Sequence, residues 1–397
     1  MRNTPLKQQP LLTPSLLWVM AIATGLVVAN IYYNQPLLKQ MEGTFKITEG
    51  RAQLIAVLTQ MGYAAGMLLL LPLADMLERK RLMMFDFVLI VLSLLGAAFA
   101  PNMAVMLIAS FFIGLSSMIP QMLIPMAAHL TGPENRGKTV GFVMSGLLMG
   151  ILLSRTLSGY IGAHFGWRTM FIIAAALMLV LWVLLYFMLP TVEAEYDGNY
   201  GSLMRSMLRL IKTEPKLRLA ALRGALGFAC FSAFWTTLTF LLSQPQFKGN
   251  SQTAGYFGLV GAFGALGASV MGRLSDRVNP YKLTTVTILL IIVSYVVFSF
   301  SGSSMIGLVI GVILLDLGVQ STHISNQTMV FGLNPHERNR LNTVYIVCYF
   351  LGGSLGTYLA SAVWNRYHWN GVCAIGLGFS TTLLLVHLFS RRIAVTT

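Results

Sequence analysis

Pro133-Glu134-Asn135-Arg136 returns 202 residues later as Pro335-His336-Glu337-Arg338. The same offset carries Gly150 onto Gly352 and Trp167 onto Trp369. Leu73-Ala74-Asp75-Met76 matches Leu274-Ser275-Asp276-Arg277 at an offset of 201, so the register holds over about half the chain. One hydrophobic unit has therefore been written twice in the same direction. Parallel duplication of such a unit marks secondary transporters, which hold their solute between two similar halves near the bilayer midplane.

Composition places the chain in lipid. Of its 397 residues, 56% are hydrophobic and only 10% are charged, against about 25% charged in a soluble domain. Apolar runs bounded by charges or turn residues lie near 15–38, 51–73, 82–100, 103–131, 139–163, 167–189, 218–243, 252–274, 281–301, 304–331, 341–364 and 369–390. Tight turns such as Pro101-Asn102 and Gly302-Ser303 make neighbouring runs antiparallel hairpins. The expected fold is an all-α membrane protein with twelve transmembrane helices in two pseudo-symmetric six-helix bundles. Those bundles are 1–189 and 218–397, joined by a linker at 190–217.

Charge sets the orientation. The net charge is +14, and the basic residues cluster in the connections between apolar runs. With the N-terminus in the cytoplasm, 20 of the 27 Lys and Arg residues fall on the cytoplasmic side, six fall opposite and one lies within the membrane. This is the positive-inside signal of a multi-pass protein of the cell inner membrane with both termini cytoplasmic, and it leaves no case for nucleic acid as a partner. Arg2, Lys7 and the apolar run from Leu16 resemble a signal peptide. The run is too long and lacks a small-x-small cleavage site, so it is expected to stay as the first span. Leu203–Ile211 in the linker has amphipathic spacing with basic residues on one side, which suits a short helix on the cytoplasmic surface.

The loop Leu71-Pro72-Leu73-Ala74-Asp75-Met76-Leu77-Glu78-Arg79-Lys80 follows span 2, and Gly272-Arg273-Leu274-Ser275-Asp276-Arg277 follows span 8. With six spans, a linker and six more, these loops resemble the major facilitator superfamily and its Gly-x-x-x-Asp-Arg-x-Gly-Arg-Arg motif. The first copy lacks both glycines and the first arginine of that motif. The resemblance implies that Asp75, Arg79, Asp276 and Arg277 act as conformational locks, each acid facing the positive end of a neighbouring helix. Asn30-Ile31-Tyr32-Tyr33-Asn34-Gln35-Pro36-Leu37-Leu38 resembles the first span of a bacterial sugar- or drug-efflux-like subgroup, and Phe165-Gly166-Trp167-Arg168 is another familiar superfamily element. Two signatures of drug–proton antiporters are absent: Ser110 stands four residues before Gly114 in place of Arg, and Gly150-Ile151-Leu152-Leu153-Ser154-Arg155 carries no Gly-Pro.

Charges inside a bilayer cost several kcal/mol unless paired or hydrated, which makes them functional candidates. Asp316 lies about twelve residues into span 10 and starts a stripe with Gln320, His323 and Gln327 at steps of four, three and four. Such a stripe shares one helix face, so it lines a watery cavity or packs on polar partners. Arg155 lies at similar depth in span 5. It can pair with Asp316 as a gate, hold an anionic substrate group, or snorkel outward. Span 1 offers Asn30, Tyr33 and Asn34 on one face with Tyr32 and Gln35 beside it; span 4 offers Gln121 and span 7 Trp235. In the resembled superfamily spans 1, 4, 7 and 10 line the central cavity. The expected substrate cavity is therefore Asn30, Tyr33, Asn34, Gln121, Trp235, Gln320 and Gln327. Asp316, His323 and Arg155 serve proton coupling and gating. Gly62/Gly66, Gly146/Gly150, Gly352/Gly356 and the glycines of span 8 suit helix surfaces that slide or pack closely.

These residues point to a secondary active transporter of a small organic solute, working by alternating access with proton-coupled efflux. A proton-coupled importer of a small metabolite is the alternative, ahead of a membrane sensor or enzyme. No HExxH, buried acid pair or Gly-rich phosphate loop is present, so catalysis and direct ATP use are not expected. Cys230, Cys348 and Cys373 sit in apolar runs without metal-ligand spacing. The expectation is a monomer in membrane lipid that takes a small-molecule substrate and needs no cofactor or metal beyond a proton gradient.

Overall fold

The computed structural model describes residues 12–132, 134–192, 199–274, 279–334 and 337–391, and among them every regular element is helical. α1 (Pro14–Ala29) starts with Pro14 in its first turn and Thr13 as cap, whose hydroxyl accepts from the Leu16 N–H. It stops early. The chain turns through 30–34, makes one 3₁₀ turn at Gln35–Leu37 and continues as α2 (Leu38–Phe45). Pro36 lacks the N–H that a continuous helix would use there.

Thr48 caps α3 (Glu49–Leu69), which is followed by the short α4 (Leu73–Met76) and α5 (Arg79–Ala98). The fourth span is split into α6 (Met103–Ser116) and α7 (Ile119–His129), with Pro120 opening the second piece. α8 (Arg136–Phe165) and α9 (Trp167–Met188) complete the first half. The linker forms α10 (Tyr200–Thr213), and the second half holds α11 (Pro215–Leu242), α12 (Ser251–Leu274), α13 (Pro280–Phe300), α14 (Met305–Phe331) and α15 (Arg338–Phe389). α15 comprises 52 residues, far beyond the bilayer thickness as one rod. His368, at φ 48°, breaks it between the two expected spans. Among the described residues nine helical stretches are long and apolar enough to cross a membrane, α3 with α4 and α6 with α7 each counting as one and α15 once, and α1 is a shorter apolar helix.

Within the first half the main pairings are α1 with α8, α3 with α6, and α5 with α9; within the second they are α11 with α15, α13 with α14, and α12 with α14. The halves meet along two seams, α3 against α15 and α8 against α12. Most glycine pairs named above do not lie on these seams. A Cβ at Gly150 would overlap the backbone of Gly25 on α1, while Gly62 and Gly66 meet α6 and Gly352 and Gly356 meet α11. These are fixed contacts inside a half rather than sliding surfaces. Other glycines do stand on the seams: a Cβ on Gly159 would lie 2.8 Å from the Cα of Gly255, Gly258 meets Arg155, and Gly50 meets Ser361.

Candidate functional site

Two faces of the bundle can be told apart by their charge. The basic face carries Arg79–Arg81, Arg136, α10 and Arg338; the far face carries the α2–α3 connection and the His368 break. At the far face the halves are tied together. Glu49, at the head of α3, holds Lys39 Nζ at 2.7 Å and accepts the Trp364 indole N–H at 2.5 Å. The Ser361 hydroxyl donates to the Gly50 carbonyl at 2.7 Å. On the other seam Gln40 donates to Ser251 Oγ at 2.9 Å, Ser251 donates to the Gly159 carbonyl at 3.1 Å, and Thr156 donates to the Gly255 carbonyl at 2.9 Å. Trp364→Phe keeps the ring and removes the charge-assisted hydrogen bond to Glu49, about 1.5–3 kcal/mol of closure. The seam is then expected to open more often. In a background otherwise free of cysteine, Gln53→Cys, fully buried on α3, should label faster with a membrane-impermeant maleimide; an unchanged rate would sink this assignment.

Beneath the closed seam, Arg155 projects from α8 toward α11 and α14. Its Nε donates to Gln35 Oε1 at 2.7 Å, and its guanidinium carbon lies 4.2 Å from the Trp235 ring, 4.8 Å from Tyr32 and 5.3 Å from Phe231. Only 2% of Arg155 is exposed, and its Nη2 has no hydrogen-bond partner. Three aromatic faces supply the negative potential that a buried cation needs. Trp235 also donates its indole N–H to Asp316 Oδ1 at 3.2 Å. Arg155 and Asp316 are thus coupled through one indole, and among the described residues no ion pair joins them directly. Space for this comes from α12: Gly258 packs on Arg155, and a Cβ on Gly261 would collide with the Asp316 carboxylate.

Toward the basic face a cavity of about 350 Å³ opens between the halves. Gln121, His323, Gln327, Asn342, Asp75 and Arg79 lie on its wall. Gln121 donates to the Tyr63 hydroxyl at 3.3 Å, and Gln327 donates to Asn342 Oδ1 at 3.2 Å. His323 Nδ1 is 2.8 Å from the Tyr345 hydroxyl, and its ring packs 4.6 Å from that of Tyr349. Arg79 approaches Asp75 at 3.9 Å within the same loop. Asp316, Gln320, His323 and Gln327 do form one stripe, running from the buried Asp316 through half-buried Gln320 to the cavity wall. Polar side chains, aromatic rings and the charges of Asp75, Arg79 and Arg340 allow hydrogen bonding to a solute of a few hundred Å³.

The face expected in span 1 is displaced. Asn30 donates to the carbonyls of Leu26 and Val27 and to Met178 Sδ, Asn34 donates to Thr59 Oγ1, and Tyr33 lines a groove between α1 and α8. None of the three is on the cavity wall. The break after Ala29 changes the helical phase, so Tyr32 and Gln35 meet Arg155 instead. Asp276 and Arg277 lie outside the described residues. Two buried charges escaped the sequence analysis. Asp86 on α5 is fully buried with both oxygens unpartnered, and Arg223 on α11 is 1% exposed. Each lies within a turn or two of a basic cluster, which disguised it as part of a helix end.

The profile of the Major Facilitator Superfamily matches residues 20–357. The uncharacterized transporter YgaY of Escherichia coli O157:H7 is 41% identical over 375 residues, covering 94% of this chain and 95% of its own. The "probable transporter SCO4007" of Streptomyces coelicolor is 30% identical, covering 92% of this chain and 86% of its own. Among solved structures, the peptide transporter POT in complex with alafosfalin superposes with a TM-score of 0.76 at 14% identity, covering 96% of each chain. A bacterial homologue of the human lysosomal transporter Spinster, inward-facing and unoccupied, gives 0.72 at 13% identity, covering 98% of this chain and 96% of its own. Duplicated six-span halves, two seams and a central polar cavity agree with these matches, and the chain is a multi-pass membrane transporter that belongs to the Major Facilitator Superfamily.

Proposed function

We propose that the protein exports a small organic solute from the cytoplasm in exchange for protons, by alternating access between its halves 1–189 and 218–397. The observation that carries this is the polar cavity open at the basic face beneath a far-face seam tied by Glu49, Trp364, Ser251 and Thr156. Excess Lys and Arg on the open side makes it the cytoplasmic side. The solute enters there, against Gln121, Gln327 and the His323–Tyr345 pair. Arg155, held in its cage of Tyr32, Phe231 and Trp235, is the far-side gate. Asp316 is the proton carrier, since gaining a proton removes its attraction for the Trp235 N–H and for Arg155 beyond it; His323 relays protons from the open cavity.

Outward direction is supported by relatives from Helicobacter acinonychis and Helicobacter pylori, each a "probable sugar efflux transporter", at 25% and 24% identity over 86% of this chain. A hydroxyl-rich solute suits the amide, hydroxyl and imidazole groups of the wall. Everted membrane vesicles test the proposal. With an acid interior they should accumulate labelled monosaccharides or polyols, and accumulation should collapse when a protonophore removes the gradient. Equal accumulation with and without the gradient would eliminate proton coupling, and uptake confined to right-side-out vesicles would reverse the direction.

A further inference from the structure

α10 is tied to both halves. At its start the Tyr200 hydroxyl donates to the Leu69 carbonyl at the end of α3, at 3.0 Å. Farther along, Arg209 Nη2 meets Glu337 Oε1 at 2.9 Å, beside α15. Between these ties Leu203, Met207 and Leu210 are buried, and the first two reach the wall of the cytoplasmic cavity. Spacing of four and three puts these residues on one helix face.

The remaining surface of α10 has two parts. At about 100° per residue, Met204, Leu208 and Ile211 form a flank beside the buried face, and Arg205, Lys212 and Arg209 form a ridge beyond it. Leu208 is 61% exposed and Ile211 37%. Arg205 and Lys212 are exposed and have no ion-pair partner among the described residues. No acidic residue occurs between 200 and 213. An exposed apolar flank beside a basic ridge is poorly suited to water, and it is the pattern of a helix lying in a membrane interface. Depth agrees: α10 begins against Leu69, where Leu68 and Leu69 still present 37% and 47% of their apolar surface at the end of α3.

We infer that α10 docks on the anionic inner leaflet, with Leu208 and Ile211 in the acyl boundary and Arg205 and Lys212 on headgroup phosphates. Arg209 is reserved for Glu337. Acidic phospholipid is favoured as the occupant because a cytoplasmic leaflet attracts basic segments next to a membrane span. The inference rests on the basic face being cytoplasmic only for the choice of leaflet. Lipid held on this surface keeps α10 across the junction of α3 and α15, beside the mouth of the cavity.

The full-length protein in nanodiscs provides the test, with phosphatidylcholine alone compared with phosphatidylcholine plus phosphatidylglycerol. Amide exchange across 200–213 should slow at least about threefold in the anionic discs and lose that protection at high salt. Arg205→Gln combined with Lys212→Gln should abolish the difference while leaving exchange in α11 unchanged. A spin label on Leu208→Cys should be relaxed more by oxygen than by a water-soluble nickel chelate. Equal wild-type exchange in both lipid compositions would overturn the inference. So would a label reached preferentially by the nickel chelate, which would assign the flank to a soluble partner. Nanodiscs expose both faces, so these outcomes do not depend on topology. Impermeant labelling of Leu208→Cys in intact cells against everted vesicles checks the cytoplasmic placement separately.

Discussion

Arg155→Lys is expected to cut the initial transport rate about thirtyfold, although it keeps the positive charge. The guanidinium is planar, donates from Nε to Gln35 and faces the Trp235 ring at 4.2 Å. An ammonium cannot fill all these roles together, and a desolvated cation–π contact is worth about 2 kcal/mol, or a factor of about thirty in an equilibrium. If that energy closes the far-face seam, the variant populates the far-open state. Labelling of Gln53→Cys by impermeant maleimide in the same cysteine-free background should therefore rise as transport falls. Trp235→Phe separates the two functions of the indole: it retains a ring under Arg155 but withdraws the N–H from Asp316. Its transport should fall while the far face stays closed. Normal transport by both variants would remove Arg155 and Trp235 from the mechanism.

Gly150→Leu is expected to prevent stable folding. The Gly150 Cα position leaves no room for a side chain, because the Gly25 backbone occupies it. Backbone cannot move aside like the end of a flexible side chain, so the clash parts α1 from α8 and costs about 3 kcal/mol or more. Close approach through small residues is a main source of helix association where lipid removes the hydrophobic drive. Purified yield and unfolding temperature in detergent measure the effect. Gly141→Ala in the same helix is the control, since nothing lies within 4 Å of its added methyl. It should be neutral or stabilising by about 0.5–1 kcal/mol. Comparable melting of the Leu variant and wild type would overturn the packing argument.

Legibility of the site in the sequence depended on whether each helix stayed regular. α14 runs unbroken from Met305 to Phe331, so steps of four and three from Asp316 to Gln327 kept one face. Span 1 breaks after Ala29, and the same counting then put Asn30, Tyr33 and Asn34 on a cavity wall that none of them reaches, while Tyr32 and Gln35 turn to Arg155. Glycine spacing revealed that helices touch without revealing which. Gly62 and Gly352 meet partners in their own halves, because a small-residue face fits any neighbour that presents backbone. Asp86 and Arg223 were missed because nearby charges made them look like helix ends, whereas burial depends on the helices packed around them.

The sequence by itself determined the solvent, the duplicated architecture and the sidedness expected of the protein. Apolar run length, repeat offset and basic-residue asymmetry are properties of composition along a chain, and the bilayer leaves few ways to satisfy them. Only the tertiary structure decided that Arg155 and Asp316 share an indole rather than a direct ion pair. That arrangement requires Trp235 from α11 to stand between α8 and α14, with glycines on α12 leaving space beside it. It likewise decided that the far face is closed and the basic face open. Those contacts join residues such as Glu49 and Trp364, hundreds of positions apart, whose meeting no local pattern encodes.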